Sequence, residues 1–143
     1  MSGQKGRQAR CFRCIYIWRV RGAERPKVCP KCKSVLYAVP RIRPVVPGRG
    51  LGIEQVLGPH RSAILRIARE HGARNVRVFG SVRRREARPG SDVDLLVDWV
   101  RGSDRVHLAT TLERILGRRV DIATPAGLWW AAAPNILAEA VPI

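Results

Sequence analysis

From Gly58 onward the apolar positions change period several times, and each change marks an element. Ala63, Ile64, Ile67 and Ala68 recur at helical spacing with arginines opposite. Pro59 stands just inside the start of that stretch and Gly72 just past its end, which predicts an amphipathic helix of about three turns. Asn75-Val-Arg-Val-Phe79 then alternates as a strand does and runs directly into Gly80-Ser81. A second alternating run, Ser91 to Val97, turns Val93 and Leu95 toward a core and leaves Asp92 and Asp94 together on the other face. Ser103 to Leu116 reads as a helix with Val106, Ala109, Leu112 and Leu116 on one face, ended by Gly117. Arg118 to Ala123 reads as a strand with Asp121 between two core-facing neighbours, Val120 and Ile122. Pro134 to Val141 fits a short packing helix.

The first third has a different texture. Ile15 to Val20 and Ser34 to Val39 are short β-rich runs, each following a pair of cysteines. Pro40 to Gly52 is rich in Pro and Gly, lacks periodicity and reads as a semi-extended connector. The expected organisation is a small module and linker over 1–49 and an α/β domain over 50–143.

Composition narrows the classes. The chain is 45% hydrophobic, which suits a globular protein. It contains no run of about 18 apolar residues to span a membrane. Met1 to Arg10 lacks the apolar core of a signal peptide, so a cytoplasmic location is expected. The net charge is +16 and unevenly placed: residues 1–49 carry 13 Lys/Arg against one acid, Glu24. A segment this basic attracts polyanions, either nucleic acid or an acidic partner surface. The competing reading is a solvated basic face, since arginine is abundant throughout the chain.

The four cysteines fall as Cys11-Phe-Arg-Cys14 and Cys29-Pro-Lys-Cys32. Each C-x-x-C turn presents two thiolates to one ion, and two such turns complete a tetrahedral S₄ site that favours Zn²⁺. Iron takes the same ligands. Disulfides do not suit a reducing compartment, and a redox pair would need only one C-x-x-C within a βαβ unit. A module this small cannot bury enough apolar surface alone, so the metal supplies much of its folding energy. Phe12, Tyr16, Trp18 and Tyr37, interleaved with arginines, either stack bases or form the ribbon's own core.

Two carboxylates on one strand face repel unless a cation lies between them. Hard oxygen ligands suit Mg²⁺ or Mn²⁺, and a third carboxylate at Asp121 would join them if its strand pairs alongside. The Gly80-Ser81 turn can offer backbone N–H groups and a hydroxyl to phosphate, with Gly80 allowing close approach. Arg83, Arg84, Arg85 and Arg88 follow it, to guide a triphosphate or to line a solvated loop. Trp129 and Trp130 are assigned to core packing.

In combination, the pattern V-F-G-S-x(10)-D-V-D-L-L-V … R-V-D-I resembles the DNA polymerase β nucleotidyltransferase superfamily. The S-D-V-D-L-L-V-D run and the closing I-L-A-E-A-V-P-I are similar to its minimal nucleotidyltransferases, over about residues 58–143. The cysteine module resembles small zinc ribbons fused to other domains in archaeal proteins. The resemblance implies a small mixed-sheet domain that moves AMP from ATP to a tyrosine of a HEPN ribonuclease toxin, acting as an antitoxin. It matches Gly80 and Ser81 to the phosphate-binding turn, Asp92 and Asp94 to the Mg²⁺ pair and Asp121 to the third carboxylate. Arg84 stands at the position of the family's arginine, while Arg85 replaces the glycine that follows it. A non-catalytic antitoxin, a nucleic-acid-binding module and nucleotidyl transfer to RNA are the alternatives.

Overall fold

In the computed structural model, which describes residues 6–99 and 104–143, the chain divides between Arg43 and Pro44 into two units. In the first, β1 (Gln8–Arg10) and β2 (Ile17–Arg19) form an antiparallel hairpin around the first cysteine turn. Ser34 to Val39, expected to be a strand, is a series of turns. Its backbone carbonyls are taken by the two cysteine turns (Cys29 N–H to Ser34 O, 3.0 Å; Phe12 N–H to Tyr37 O, 2.7 Å), and Val35, Leu36 and Val39 stay exposed. Tyr37 alone turns inward. Its ring meets Trp18 edge-on at 5.2 Å and its hydroxyl donates to Pro26 O at 2.8 Å. Tyr37 and Trp18 are therefore core, whereas Tyr16 is exposed with its ring stacked on Trp18.

The second unit starts earlier than residue 50. Gly48, Gly50 and Leu51 donate backbone N–H groups to Arg84, Arg85 and Ala87, each at 2.8 Å. A Cβ at Gly48 or Gly50 would press on the carbonyls of Arg85 and Ala87 at 2.6 Å. The glycines that made this stretch look like a linker are what let it lie flat against the loop after Gly80-Ser81.

A one-turn helix, α1 (Ile53–Val56), and a 3₁₀ turn over Gly58–His60 lead into α2 (Arg61–Glu70), which buries Ile64, Ile67 and Ala68 as its periodicity requires. The remaining elements are β3 (Ala73–Phe79), α3 (Gly80–Arg83), β4 (Val93–Trp99), α4 (Arg105–Leu116), β5 (Val120–Ala123), α5 (Ala133–Glu139) and β6 (Val141–Pro142). The sheet order is β5-β4-β3-β6, with β4 and β5 parallel and the other pairs antiparallel. This is the expected small mixed-sheet α/β domain.

Three differences from the sequence reading have physical causes. Asp104 caps α4 by accepting from the His107 N–H at 3.1 Å, which fixes the start of the helix and leaves Val106 in its exposed first turn. The buried face is then Leu108 and Leu112, and Val106 is 70% exposed; the expected start at Ser103 lies outside the described residues. The chain after α5 forms β6, too short to leave an alternation signal. Trp129, assigned to the core, stands exposed beside Trp130 after the Pro125–Gly127 turn. Among the described residues no helix is long and apolar enough to cross a membrane.

Candidate active site and metal centre

The first unit gathers all four cysteine sulfurs within 4.8 Å of one another. Cys11 and Cys32, and Cys14 and Cys29, stand 3.7 Å apart. A tetrahedron with metal–sulfur bonds of ~2.3 Å has edges of ~3.8 Å, so the quartet fits a zinc ion. The two cysteine turns repeat each other. Ile15 N–H donates to Cys11 O (2.8 Å) and Lys33 N–H to Cys29 O (2.9 Å), and both residues are left-handed (φ 64° and 61°). Arg13 and Cys14 N–H groups point at Cys11 Sγ (3.3 and 3.4 Å), as donors to a thiolate would. Burial, the largest influence on both neighbours, pushes the Cys14 thiol up to about 12, against the Tyr16 N–H. At Cys29 burial is outweighed by the N–H groups of Cys32 and Lys31, and the thiol falls to about 7. Crowded sulfurs that share protons in this way are ready to exchange them for a cation.

In the second unit the sheet register does the assembling. β4 and β5 run side by side with Asp94 directly opposite Asp121, and β3 pairs with β4 so that Phe79 lies opposite Asp94. Asp92 precedes β4 by one residue. Val93 and Leu95 are fully buried in the main core, which leaves the aspartates on the other face. The register brings the three aspartates to the same end of the sheet, with Gly80 against Asp94. They are less tightly gathered than the cysteine quartet, the one group of this kind within 4.8 Å among the described residues.

Asp94 carries the strain of this arrangement. Its carboxyl is pushed from the ordinary value of 3.8 up to about 6, first by burial, then by the charges of Asp121 and Asp92; Arg84 opposes this and Glu139 adds to it. A half-buried carboxylate under such repulsion is the donor a divalent cation relieves, and the all-oxygen set fits Mg²⁺. Gly80 has φ +73°, and a Cβ there would collide with the Asp94 carboxylate. Its lack of a side chain is thus required twice, by conformation and by space.

Arg85 also adopts a left-handed conformation, with φ 58°. The loop therefore keeps the shape a glycine would favour although the residue is arginine. The two positions should respond oppositely. Gly80→Ala is expected to cost about 2–4 kcal/mol through the positive φ and the clash with Asp94. Arg85→Gly removes strain and adds unfolded-state freedom in similar measure, so its melting temperature should stay within about 3 °C of the parent. Thermal melts of the two variants check this; equal losses would mean the loop is not held in this shape.

The side chains after the turn are more occupied than the sequence suggested. Gly80 N–H donates to Glu139 Oε1 at 2.8 Å. Arg84 Nη1 donates to both Glu139 oxygens (3.1 and 3.3 Å) and its Nε to Glu86 (3.0 Å), contacts that hold its charge firmly. Arg83 Nε donates to the Glu139 carbonyl at 2.8 Å. Ser81 is half-buried in the first turn of α3. The Arg88 carbonyl accepts from Arg118 at 2.9 Å. Glu139 was not singled out in the sequence; its only trace there is the acid in the closing I-L-A-E-A-V-P-I run.

The nucleotidyltransferase domain family matches residues 61–143, a stretch that includes Gly80, Ser81, all three aspartates and Glu139 but none of the cysteines. A protein of Methanocaldococcus jannaschii, provisionally named a protein adenylyltransferase, is 36% identical over 83 residues, covering 56% of this chain and 89% of its own length. The protein adenylyltransferase MntA of Thermococcus cleftensis is 36% identical over 92 residues, covering 62% of this chain and 90% of its own. A solved structure described provisionally as a minimal nucleotidyltransferase superposes with a TM-score of 0.57 at 42% identity, covering 67% of this chain and all of that one.

Proposed function

The chain belongs to the nucleotidyltransferase domain family, and from that premise we propose that it is a Mg²⁺-dependent protein adenylyltransferase that moves AMP from ATP to a hydroxyl of a protein partner. The observation that carries the reading is Asp94 standing opposite Asp121 and against Gly80, which brings carboxylates on two strands beside the Gly80-Ser81 turn. The two relatives named as protein adenylyltransferases support a protein acceptor. The partner proposed is a HEPN-type ribonuclease toxin, as the resemblance of the motifs implies.

In the proposed mechanism Ser81 and the open N–H groups of the turn hold the triphosphate, and Arg84 offers its remaining guanidinium N–H groups. Asp92, Asp94 and Asp121 hold Mg²⁺, which when bound neutralises the charge that develops on the phosphates. Asp121 is the exposed member of the three and can meet an incoming acceptor. It takes the acceptor's hydroxyl proton as that oxygen bonds to the α-phosphorus. The bond from the α-phosphorus to the bridging oxygen breaks, and pyrophosphate leaves with the electron pair. The test is transfer of label from α-labelled ATP onto a HEPN protein in the presence of Mg²⁺.

The ribbon serves binding rather than chemistry in this reading, with Zn²⁺ as its structural metal. Every one of its described Lys and Arg residues except Arg13 is exposed, so the polyanion-attracting face read from the sequence is available. Removal of residues 1–43, which spares the strap over Arg84 to Ala87, is expected to weaken association with partner or nucleic acid. The loss should shrink as salt is raised, because the contacts it removes are screened. Basal ATP turnover should persist. Binding by the truncated chain equal to that of the full chain would reverse the assignment.

A further inference from the structure

The carboxylate of Glu139 lies where a phosphate-binding turn would be expected to keep its donors free, and it is well covered, with a side-chain exposure of 13%. Its position is built by the sheet. β6 pairs with β3 as Val141 opposite Val78 and Pro142 opposite Arg77, and Glu139, the last residue of α5, stands two residues before β6, beside the end of β3 where Gly80 follows Phe79. The junction of α5 and β6 thus delivers one acid to the end of β3. There it accepts from the Gly80 N–H and from Arg84, while its own carbonyl takes Arg83. Four polar contacts from one residue tie both arginines and the turn to the C-terminal segment.

A charged group so placed has two chemical options. It can hold the turn and Arg84 in a binding-ready arrangement, or it can occupy their donors in competition with phosphate. The contacts favour the first. Glu139 takes the N–H of Gly80, which precedes Ser81 and is already committed to close approach by Asp94, and it engages Nη1 of Arg84, whose Nε is held by Glu86, while Nη2 stays available. A competing plug would have little reason to bond Arg83 through its backbone, a contact that nucleotide binding need not break.

We propose that Glu139 is a positioning residue for the nucleotide: it fixes the Gly80 turn and aims Arg84, so that the end of α5, anchored by β6, is a working part of the site. The inference rests on the nucleotidyl-transfer reading above. The probe is the affinity of the full-length chain for a non-hydrolysable ATP analogue with Mg²⁺, measured beside thermal melts. Wild type must bind and Asp94→Asn must lose transfer; failure of either refutes the nucleotidyl-transfer reading and not this one.

Given those controls, Glu139→Ala is expected to weaken the analogue by about tenfold or more, the effect of losing a charge-assisted bond. KM for ATP should rise more than kcat falls. Glu139→Gln still accepts from Gly80 and should recover most of the affinity. Arg84→Ala combined with Glu139→Ala should be little worse than Arg84→Ala, since the two act together. Should Glu139→Ala fail to fold, Glu139→Gln decides: it weakens binding about threefold in the wild-type chain and not at all beside Arg84→Ala. Unchanged affinity in a folded Glu139→Ala chain, or an unaltered Glu139→Gln where that variant must decide, overturns the proposal. Tighter binding by any Glu139 variant also overturns it, because that would make the residue a plug.

Discussion

Asp94→Asn is expected to lose nucleotidyl transfer by about a thousandfold or more while the metal-free protein becomes more stable. The loss follows from removing a ligand that places positive charge on the transferring phosphate, an effect of several kcal/mol on the barrier. The stability gain follows from the strain at this residue. The Asp94 carboxyl is pushed up to about 6 in the fold, above its ordinary value of 3.8. Folding therefore disfavours the charged form. The penalty is absent below pH ~3, where the carboxyl is protonated folded or unfolded, grows as pH rises between the two values, and is complete above pH ~7. Asparagine removes it, so the rise in melting temperature should be full at pH ~7 and vanish toward pH ~3. Because the group is only half-buried, solvent screens the penalty, and about 1–2 kcal/mol is the fitting size. Asp92→Ala and Asp121→Ala should lose activity similarly, and combining all three should cost little more than the worst single change. Near wild-type transfer by any of them would remove that aspartate from the site.

Removal of zinc has the second large effect expected. The first unit's buried cluster is Cys11, Cys29 and Tyr37, with Ala9, Cys14, Trp18 and Ala38 against it. That is far too little apolar surface to fold a chain of this length, whereas a structural zinc contributes on the order of 10 kcal/mol. A strong chelator should therefore unfold residues 6–43 and leave the second unit folded. Both tyrosines of the chain, Tyr16 and Tyr37, lie in the first unit, so tyrosine circular dichroism in the near ultraviolet reports on it alone. That signal should vanish on chelation and return with about one equivalent of zinc. A tyrosine signal indifferent to chelation would mean the hairpin folds without metal.

Local pattern carried the parts of this structure that depend on neighbours in sequence. The period-two placement of Asp92 and Asp94 appears as the aspartate face of β4, and Val93 and Leu95 are buried opposite it. The cysteine spacing gave the quartet because each turn is closed by a bond within five residues, such as Ile15 to Cys11. What the sequence hid depends on distance. Glu139 reaches Gly80 across 59 positions, and nothing near either residue announces the other. Val106 lost its place in the core because the Asp104 cap puts it in the first turn of α4, ahead of the buried Leu108 and Leu112. Ser34 to Val39 has strand composition but no strand beside it, so its propensity found no ladder to join. Arg85 keeps a glycine-like conformation because the strap from Gly48 to Leu51 bonds the backbone on both sides of it, a constraint that composition presents as a linker.

The central claim, adenylyl transfer to a protein, is tested most directly by labelling. The full-length chain is incubated with Mg²⁺ and a HEPN-type ribonuclease, using ATP labelled at the α-phosphate in one reaction and at the γ-phosphate in another. Label is expected on the ribonuclease from α-labelled ATP only, with release of the γ-label as pyrophosphate and neither event with Asp94→Asn. Label arriving from the γ-position would make the chemistry phosphorylation. An unlabelled ribonuclease that nevertheless binds the chain tightly would contradict the enzyme reading and leave a binding module in its place.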